Sequence, residues 1–183
     1  MVYTWRGASL STYNPKVLIL GFGEHGKDEF AERLAPLIRA TFVSSSKFAS
    51  EHVVFPWFKE KFPDHYGTPD QCFRDRRNQR RTWHELIAEY NASDPARLAK
   101  EILAKHDLYV GMRSAIELQE CVRQSLFDYI FWVDASLRKT PEGYDSCPIC
   151  YDYRIMRLVN NNDALADLQR TAEFTAQSIL NSQ

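Results

Sequence analysis

Short apolar runs that end at glycine or aspartate alternate along this chain with longer stretches in which apolar residues recur every three or four positions. Residues 16–20, "KVLIL", are apolar without helical period and stop at a glycine, the pattern of a strand buried on both faces. From Asp28 onward Phe30, Leu34, Leu37 and Ile38 recur at helical spacing, and Pro36 is expected to kink or end that helix a turn early. Residues 40–43 read as a short strand, followed by a serine cap and a helix over 47–54. One helix is predicted over 69–90 and another over 95–106, divided by "NASDP", in which Asp94 caps and Pro95 takes the first helical position. "DLYVGMR" and "DYIFWVDA" read as two more buried strands on either side of a helix over 115–126, "RIMRLVNN" as a fifth strand, and 163–180 as the last helix. Strands alternating with helices of crossover length predict an α/β fold: a parallel sheet of about five strands in three layers, with helices on both faces. Residues 136–152, "SLRKTPEGYDSCPICYD", carry no period, and a loop of that length in a compact domain suggests a lid.

Composition narrows the function. The chain has 183 residues, 44% of them hydrophobic, which suits a single domain. Lys and Arg number 23 against 24 Asp and Glu, so the net charge of −1 gives no general attraction to nucleic acid or an anionic membrane, and any anion site must be local. The apolar runs are strand-sized, far short of the roughly 20 residues that span a bilayer, so no membrane partner is expected. The first fifteen residues contain no continuous apolar block of the signal-peptide kind, which points to the cytoplasm and to reduced cysteines. Cys147 and Cys150 in "SCPIC" have metal-ligand spacing, but zinc would need two further ligands; a redox pair and plain thiols are the alternatives.

"GFGEHGK", residues 21–27, satisfies G-x-x-x-x-G-K directly after a predicted strand and before a predicted helix, the context a phosphate loop requires. The backbone amides of Gly21, Phe22, Gly23, Glu24, His25 and Gly26 are expected to cradle the phosphates of ATP, with Lys27 reaching the β and γ groups and Asp28 and Glu29 opening the helix. A dinucleotide loop is disfavoured, because "TFVSSS" offers no acid at the end of the next strand. Asp28 stands where Ser or Thr normally meets Mg²⁺; its carboxylate is a competent hard-oxygen ligand, and equally a favourable helix N-terminal acid. In "RDRRNQRR" a continuous helix would place Arg74, Arg77 and Arg81 on one stripe and Arg76 with Arg80 on the next. Such a cluster suits bidentate phosphate recognition; the alternative is a solvated basic face paired with Asp75 and Glu85.

The stretches "GFGEHGKDEFAERLA", "QCFRDRRNQRRTWHELIAEYN", "YVGMR" followed by Glu117, and "FDYIFWVDAS" together resemble the bacteriophage deoxynucleoside monophosphate kinases, a branch of the adenylate-kinase-like P-loop kinases. The resemblance runs from about residue 16 to the final helix. It implies transfer of the γ-phosphoryl group of ATP to a deoxynucleoside monophosphate with Mg²⁺, in the cytoplasm of a phage host. A core over about 16–43, 107–135 and 153–183 would carry a nucleotide-binding arm over 44–106 and a lid over 136–152. The acceptor site would draw on Arg74, Arg77, Arg80, Arg81, Trp83 and Arg113, with Arg77 and Arg81 the first choices. Catalysis would fall to Lys27, Arg113, Arg138 as the lid arginine, and Asp134, since Val110 takes the place where many relatives have an acid. Trp57, Phe58, Trp83, His84 and Tyr90 are expected mostly to pack the arm. Two rival readings share the loop: a kinase acting on a hydroxymethylated pyrimidine in phage DNA, and a nucleotide-binding protein without catalysis. A homodimer is compatible with all three.

Overall fold

The computed structural model describes residues 14–141, 143 and 147–182. Five strands, β1 (Val17–Leu20), β2 (Phe42–Ser44), β3 (Leu108–Val110), β4 (Tyr129–Asp134) and β5 (Arg157–Asn160), form one parallel sheet in the order β2-β3-β1-β4-β5. β1 lies at the centre with all four side chains buried, because it is covered on both faces and paired on both edges. Its alternation divides the core. Val17 and Ile19 face a cluster with Phe30 and Leu34 of α1 (Lys27–Leu37) and Leu168 and Ile179 of α8 (Leu165–Leu180). Leu18 and Leu20 face the opposite cluster, with Leu98 and Ile102 of α6 (Arg97–Leu103) and Leu118 of α7 (Ala115–Arg123). The expected three-layer α/β fold is therefore present.

A third apolar cluster lies outside these layers. It is built from α2 (Ser45–Ala49), a π-helical turn over Ser50–Val54, α3 (Phe55–Lys61), α4 (Pro69–Asp75) and α5 (Arg80–Tyr90), and holds Val54, Phe58, Tyr66, Cys72, Trp83 and Leu86. The chain between β2 and β3 thus folds around a small core of its own. Ser44 caps α2 by accepting from the Lys47 amide at 3.3 Å, two residues earlier than the helix start expected at 47.

Two helix boundaries differ from expectation. α1 continues through Pro36 to Leu37, because a proline in the last turn forfeits a single backbone hydrogen bond, and the helix ends at Ile38. The helix expected over 69–90 is two helices separated by a turn over residues 76–79. Asp75 makes that break: its carboxylate accepts from Tyr66 Oη at 2.5 Å and Asn78 Nδ2 at 2.6 Å, and its carbonyl accepts from the Asn78 and Gln79 amides. The stripe of Arg74, Arg77 and Arg81 does not form as a consequence, since Arg77 lies in the turn. Asp94 accepts from the Ala96 amide at 3.1 Å within the preceding turn, but α6 begins two residues beyond Pro95 with Ala96 at its N-cap and no side-chain cap. No described helix is long and apolar enough to cross a membrane.

Candidate functional site

The site stands at the carboxyl ends of β1, β3, β4 and β5, where open parallel sheets bind ligands. Two glycines of the loop are dictated by close approach. A Cβ on Gly21, at φ +141°, would come within 2.4 Å of the Val133 carbonyl oxygen, and one on Gly26, at φ +87°, within 2.2 Å of Asn161 Nδ2. Gly26 is also the N-cap of α1, so the loop's amides and the positive end of the helix dipole face the same space. Lys27 Nζ donates to the Phe22 carbonyl at 2.6 Å, folding the side chain back over the loop.

His25 does not face that space. Its side chain is wholly buried beneath the loop and packs edge-on against Phe22, whose ring in turn meets Trp132. Its Nδ1 accepts from the Ala135 amide at 3.0 Å, which fixes the hydrogen on Nε2, and Nε2 donates to the Lys139 carbonyl at 3.1 Å. Burial pushes its pKa below the ordinary histidine value despite the Lys139 carbonyl and Asp134, which favour the charged form. The His25 carbonyl accepts from buried Asn161 Nδ2 at 2.8 Å, so the loop after β5 is joined to the phosphate loop.

Asp134, at the end of β4, is held by Ser136 Oγ at 3.0 Å and Asn162 Nδ2 at 3.1 Å. Burial opposes its charge, but these hydrogen bonds outweigh it and keep the carboxyl below the usual range. Arg138 donates through Nε to the Asn161 carbonyl, which turns its guanidinium toward the β5 loop. It is Lys139 that meets the phosphate loop, pairing with Glu24; Arg77 joins the same carboxylate at 2.8 Å. Lys139 first and Arg77 second draw the Glu24 pKa down.

On the arm, the arginines separate by environment. Arg74 and Arg80 are exposed, and Arg81, 92% exposed, pairs with Glu85 one turn away. Arg76 is the half-buried one. It lies 4.1 Å over the Phe73 ring and donates to the Phe73 carbonyl at 3.0 Å. Burial lowers its pKa; Arg77 and Arg113 act in the same direction, and Asp28 opposes them. Arg76 therefore lies within electrostatic reach of both the start of α1 and Arg113, which follows β3. The Trp83 ring is buried in the arm core with its Nε1 unpartnered there, and Trp57 stacks edge-on with Phe58.

Beneath Gly111, the arm joins the sheet through Ser45, whose hydroxyl donates to the Gly111 carbonyl at 2.7 Å. Next to it the buried Tyr109 hydroxyl donates to Glu117 Oε1 at 3.0 Å. Burial raises the Glu117 pKa to about 7 against the pull of Tyr109. Val110 itself is a core residue, so no acid occupies that strand position.

Asp28 is exposed in the first turn of α1 and Glu29 pairs with Arg33 at 2.7 Å. The donor chemistry fits Mg²⁺ brought in with a nucleotide, because that ion keeps most of its waters and takes only one or two carboxylates from protein. Among the described residues no three His, Cys, Asp or Glu side chains converge as a metal cage; Cys147 is buried and Cys150 exposed. Arg76 belonged to the arginine cluster read from the sequence but not to the residues singled out for the acceptor, and Lys139, Asn161 and Asn162 had no assignment. The run "VNNND" at a strand's carboxyl end was the available signal for the asparagines.

The fold is a three-layer parallel α/β sheet with a loop of the G-x-x-x-x-G-K pattern between β1 and α1. No family model matches the chain, and no curated protein matches it. Among solved structures it is similar to a gluconokinase from Sinorhizobium meliloti 1021, at 10% identity over 92% of this chain and 95% of that one, with a TM-score of 0.50. A sugar kinase from Janibacter sp. HTCC2649 aligns at 13% identity over 93% and 98% of the two chains, with a TM-score of 0.48.

Proposed function

We propose that this protein is an ATP-dependent P-loop kinase whose acceptor is a deoxynucleoside monophosphate. The observation that carries the reading is Arg76. A half-desolvated guanidinium whose charge is opposed by burial, Arg77 and Arg113 and favoured by Asp28 is suited to an anion, which supports an acceptor phosphate at this end of the arm. The resemblance of the loop and arm segments to phage nucleotide kinases supplies the acceptor class.

In this reading the loop amides and Lys27 hold the β- and γ-phosphates, and Arg76 and Arg113 hold the acceptor phosphate. Asp28 would hold Mg²⁺ arriving with the nucleotide, and the ion would supply electrostatic stabilisation of the transferred charge. Asp134 keeps Ser136 and Asn162 in place at the donor side. Acceleration comes from positioning and fixed charge, and no protein nucleophile takes part.

The test is a transfer screen with radiolabelled ATP against common and modified deoxynucleoside monophosphates, D-gluconate, and DNA containing hydroxymethylated pyrimidines. Labelled deoxynucleoside diphosphate is the expected product. Label on gluconate or on DNA alone overturns the acceptor assignment, and ATP binding without transfer to anything overturns the catalytic one.

A further inference from the structure

The histidine of the phosphate loop is placed for a task that the loop's own chemistry does not require. Its two ring nitrogens are bound four residues apart on one segment: Nδ1 to the Ala135 amide and Nε2 to the Lys139 carbonyl. The intervening backbone closes a turn of its own, with the Arg138 and Lys139 amides bonded to the Ala135 carbonyl. At the far end of this turn Lys139 reaches the Glu24 carboxylate, beside His25 in the loop. The imidazole is thus a buried pin between the loop that would hold ATP and the root of the segment that would cover it.

The pin works in one protonation state. The Ala135 amide is a donor, so Nδ1 must be bare; the Lys139 carbonyl is an acceptor, so Nε2 must carry the hydrogen. A second proton would set two N–H groups against each other at Ala135. The charged groups facing the ring are Asp134 at 3.9 Å, Lys27 and Arg138. One carboxylate against two cations, in a buried setting, leaves a cationic ring poorly compensated. The sign follows. The unfolded chain takes up the proton more readily than the folded one, so the strap loosens as pH falls below the ordinary histidine range.

We propose that His25 is a positioning residue which, only as the neutral Nε2-protonated imidazole, straps residues 135–139 to the phosphate loop and couples lid anchorage to nucleotide binding. The nucleotide half of this statement rests on the kinase reading; the strap half does not.

Hydrogen exchange of the full chain, corrected for intrinsic rates, tests the strap without any turnover. Loss of one buried hydrogen bond corresponds to roughly a tenfold effect, so His25→Leu, which removes both, is expected to reduce protection of peptides over 134–140 by roughly tenfold to a hundredfold while β1 peptides stay protected. His25→Asn places an acceptor near Nδ1 and His25→Gln a donor near Nε2, so the first should restore the Ala135 end and the second the Lys139 end. Wild-type protection over 134–140 should fall on acidification before that of β1, and the Asn and Gln variants should lack this step. Protection unchanged in His25→Leu overturns the strap, as does a wild-type segment that opens only together with β1. If His25→Leu fails to fold, the Asn and Gln variants decide: equal losses at both ends in both overturn it. Calorimetry with Mg-ATP then addresses coupling, for which roughly tenfold weaker binding by His25→Gln at pH 8 is expected from the lost Ala135 bond. Unchanged affinity with an opened strap overturns the coupling alone. A wild type that binds no ATP overturns the kinase reading and the coupling with it, leaving the strap to be judged by exchange.

Discussion

The two halves of the site are built differently. On the donor side the parts are fixed by backbone and buried polar groups: Gly21 against the Val133 carbonyl, Gly26 against Asn161, and His25 with both nitrogens satisfied. On the arm side the cations stand on two short helices and a turn, and the partners of Arg77 and Arg81 are exposed carboxylates. Exposed pairs of that kind contribute little, because solvent and salt screen them. The donor side is therefore arranged before a ligand arrives, whereas these arm cations can exchange partners at little cost. A kinase that must hold one nucleotide triphosphate and position a second substrate against it benefits from that asymmetry.

The sharpest way to break the contrast is to remove the donor-side charge. Lys27→Met is expected to lower kcat about 10³-fold, since the ammonium stabilises charge that develops between the β and γ oxygens. The fold should survive, because the apolar stem stays in place while the bond to the Phe22 carbonyl goes. Single-turnover transfer from ATP is the measurement. A loss smaller than tenfold would mean that another cation, such as Lys139 beside Glu24, carries the transferred charge.

The next effect lies where the arm meets the sheet. Glu117 is buried against Tyr109, and its pKa is raised from 4.5 to about 7. A carboxyl whose folded pKa exceeds its unfolded one contributes stability that is full below the unfolded value and lost as pH rises through the folded one. Between about pH 4.5 and pH 8 the wild type should therefore lose stability relative to Glu117→Gln, by about 3 kcal/mol at 1.36 kcal/mol per pKa unit. Urea unfolding of both proteins at pH 5 and pH 8 reads the difference directly. A gap that does not change with pH would show that Glu117 titrates in the folded protein as it does in the unfolded chain.

The same asymmetry explains what the sequence made legible. The sheet, its three layers and the phosphate loop were readable because each rests on short-range rules: apolar runs without helical period, glycines where the backbone must approach, and alternation of strand with crossover helix. The arginine segment misled because helical spacing was extended across residues 76–79. There the Asp75 carboxylate accepts from Tyr66 and from the Asn78 side chain, and the Asn78 amide turns to the Asp75 carbonyl three residues back. Tyr66 is nine residues away, and nothing local announces that contact. His25 was legible as a member of the loop but not as a buried one, since its partners at 135 and 139 lie more than a hundred residues on. Arg138 and Lys139 were adjacent cations in one loop; only the turn at Ala135 decides which of them faces Glu24.

The arm arginines give the finest test, because the comparison is internal to one segment of identical residue type. Arg76 is half-buried, seated on Phe73, and in electrostatic reach of Arg113 and Asp28. Charge-assisted hydrogen bonds to an anion are worth roughly 1.5–3 kcal/mol, so Arg76→Ala should raise the acceptor KM about thirtyfold and leave the KM for ATP within about twofold. Arg76→Lys should recover only part of it, since an ammonium keeps the charge but not the planar fork. Arg81, by contrast, is 92% exposed and held by Glu85 on its own helix, so Arg81→Ala should change the acceptor KM by less than about twofold. Initial-rate kinetics with acceptor varied at saturating ATP separate the two. If Arg81→Ala proves the larger effect, the arm must rotate α5 toward the loop when substrate binds, and the acceptor is held by the exposed arginines after all.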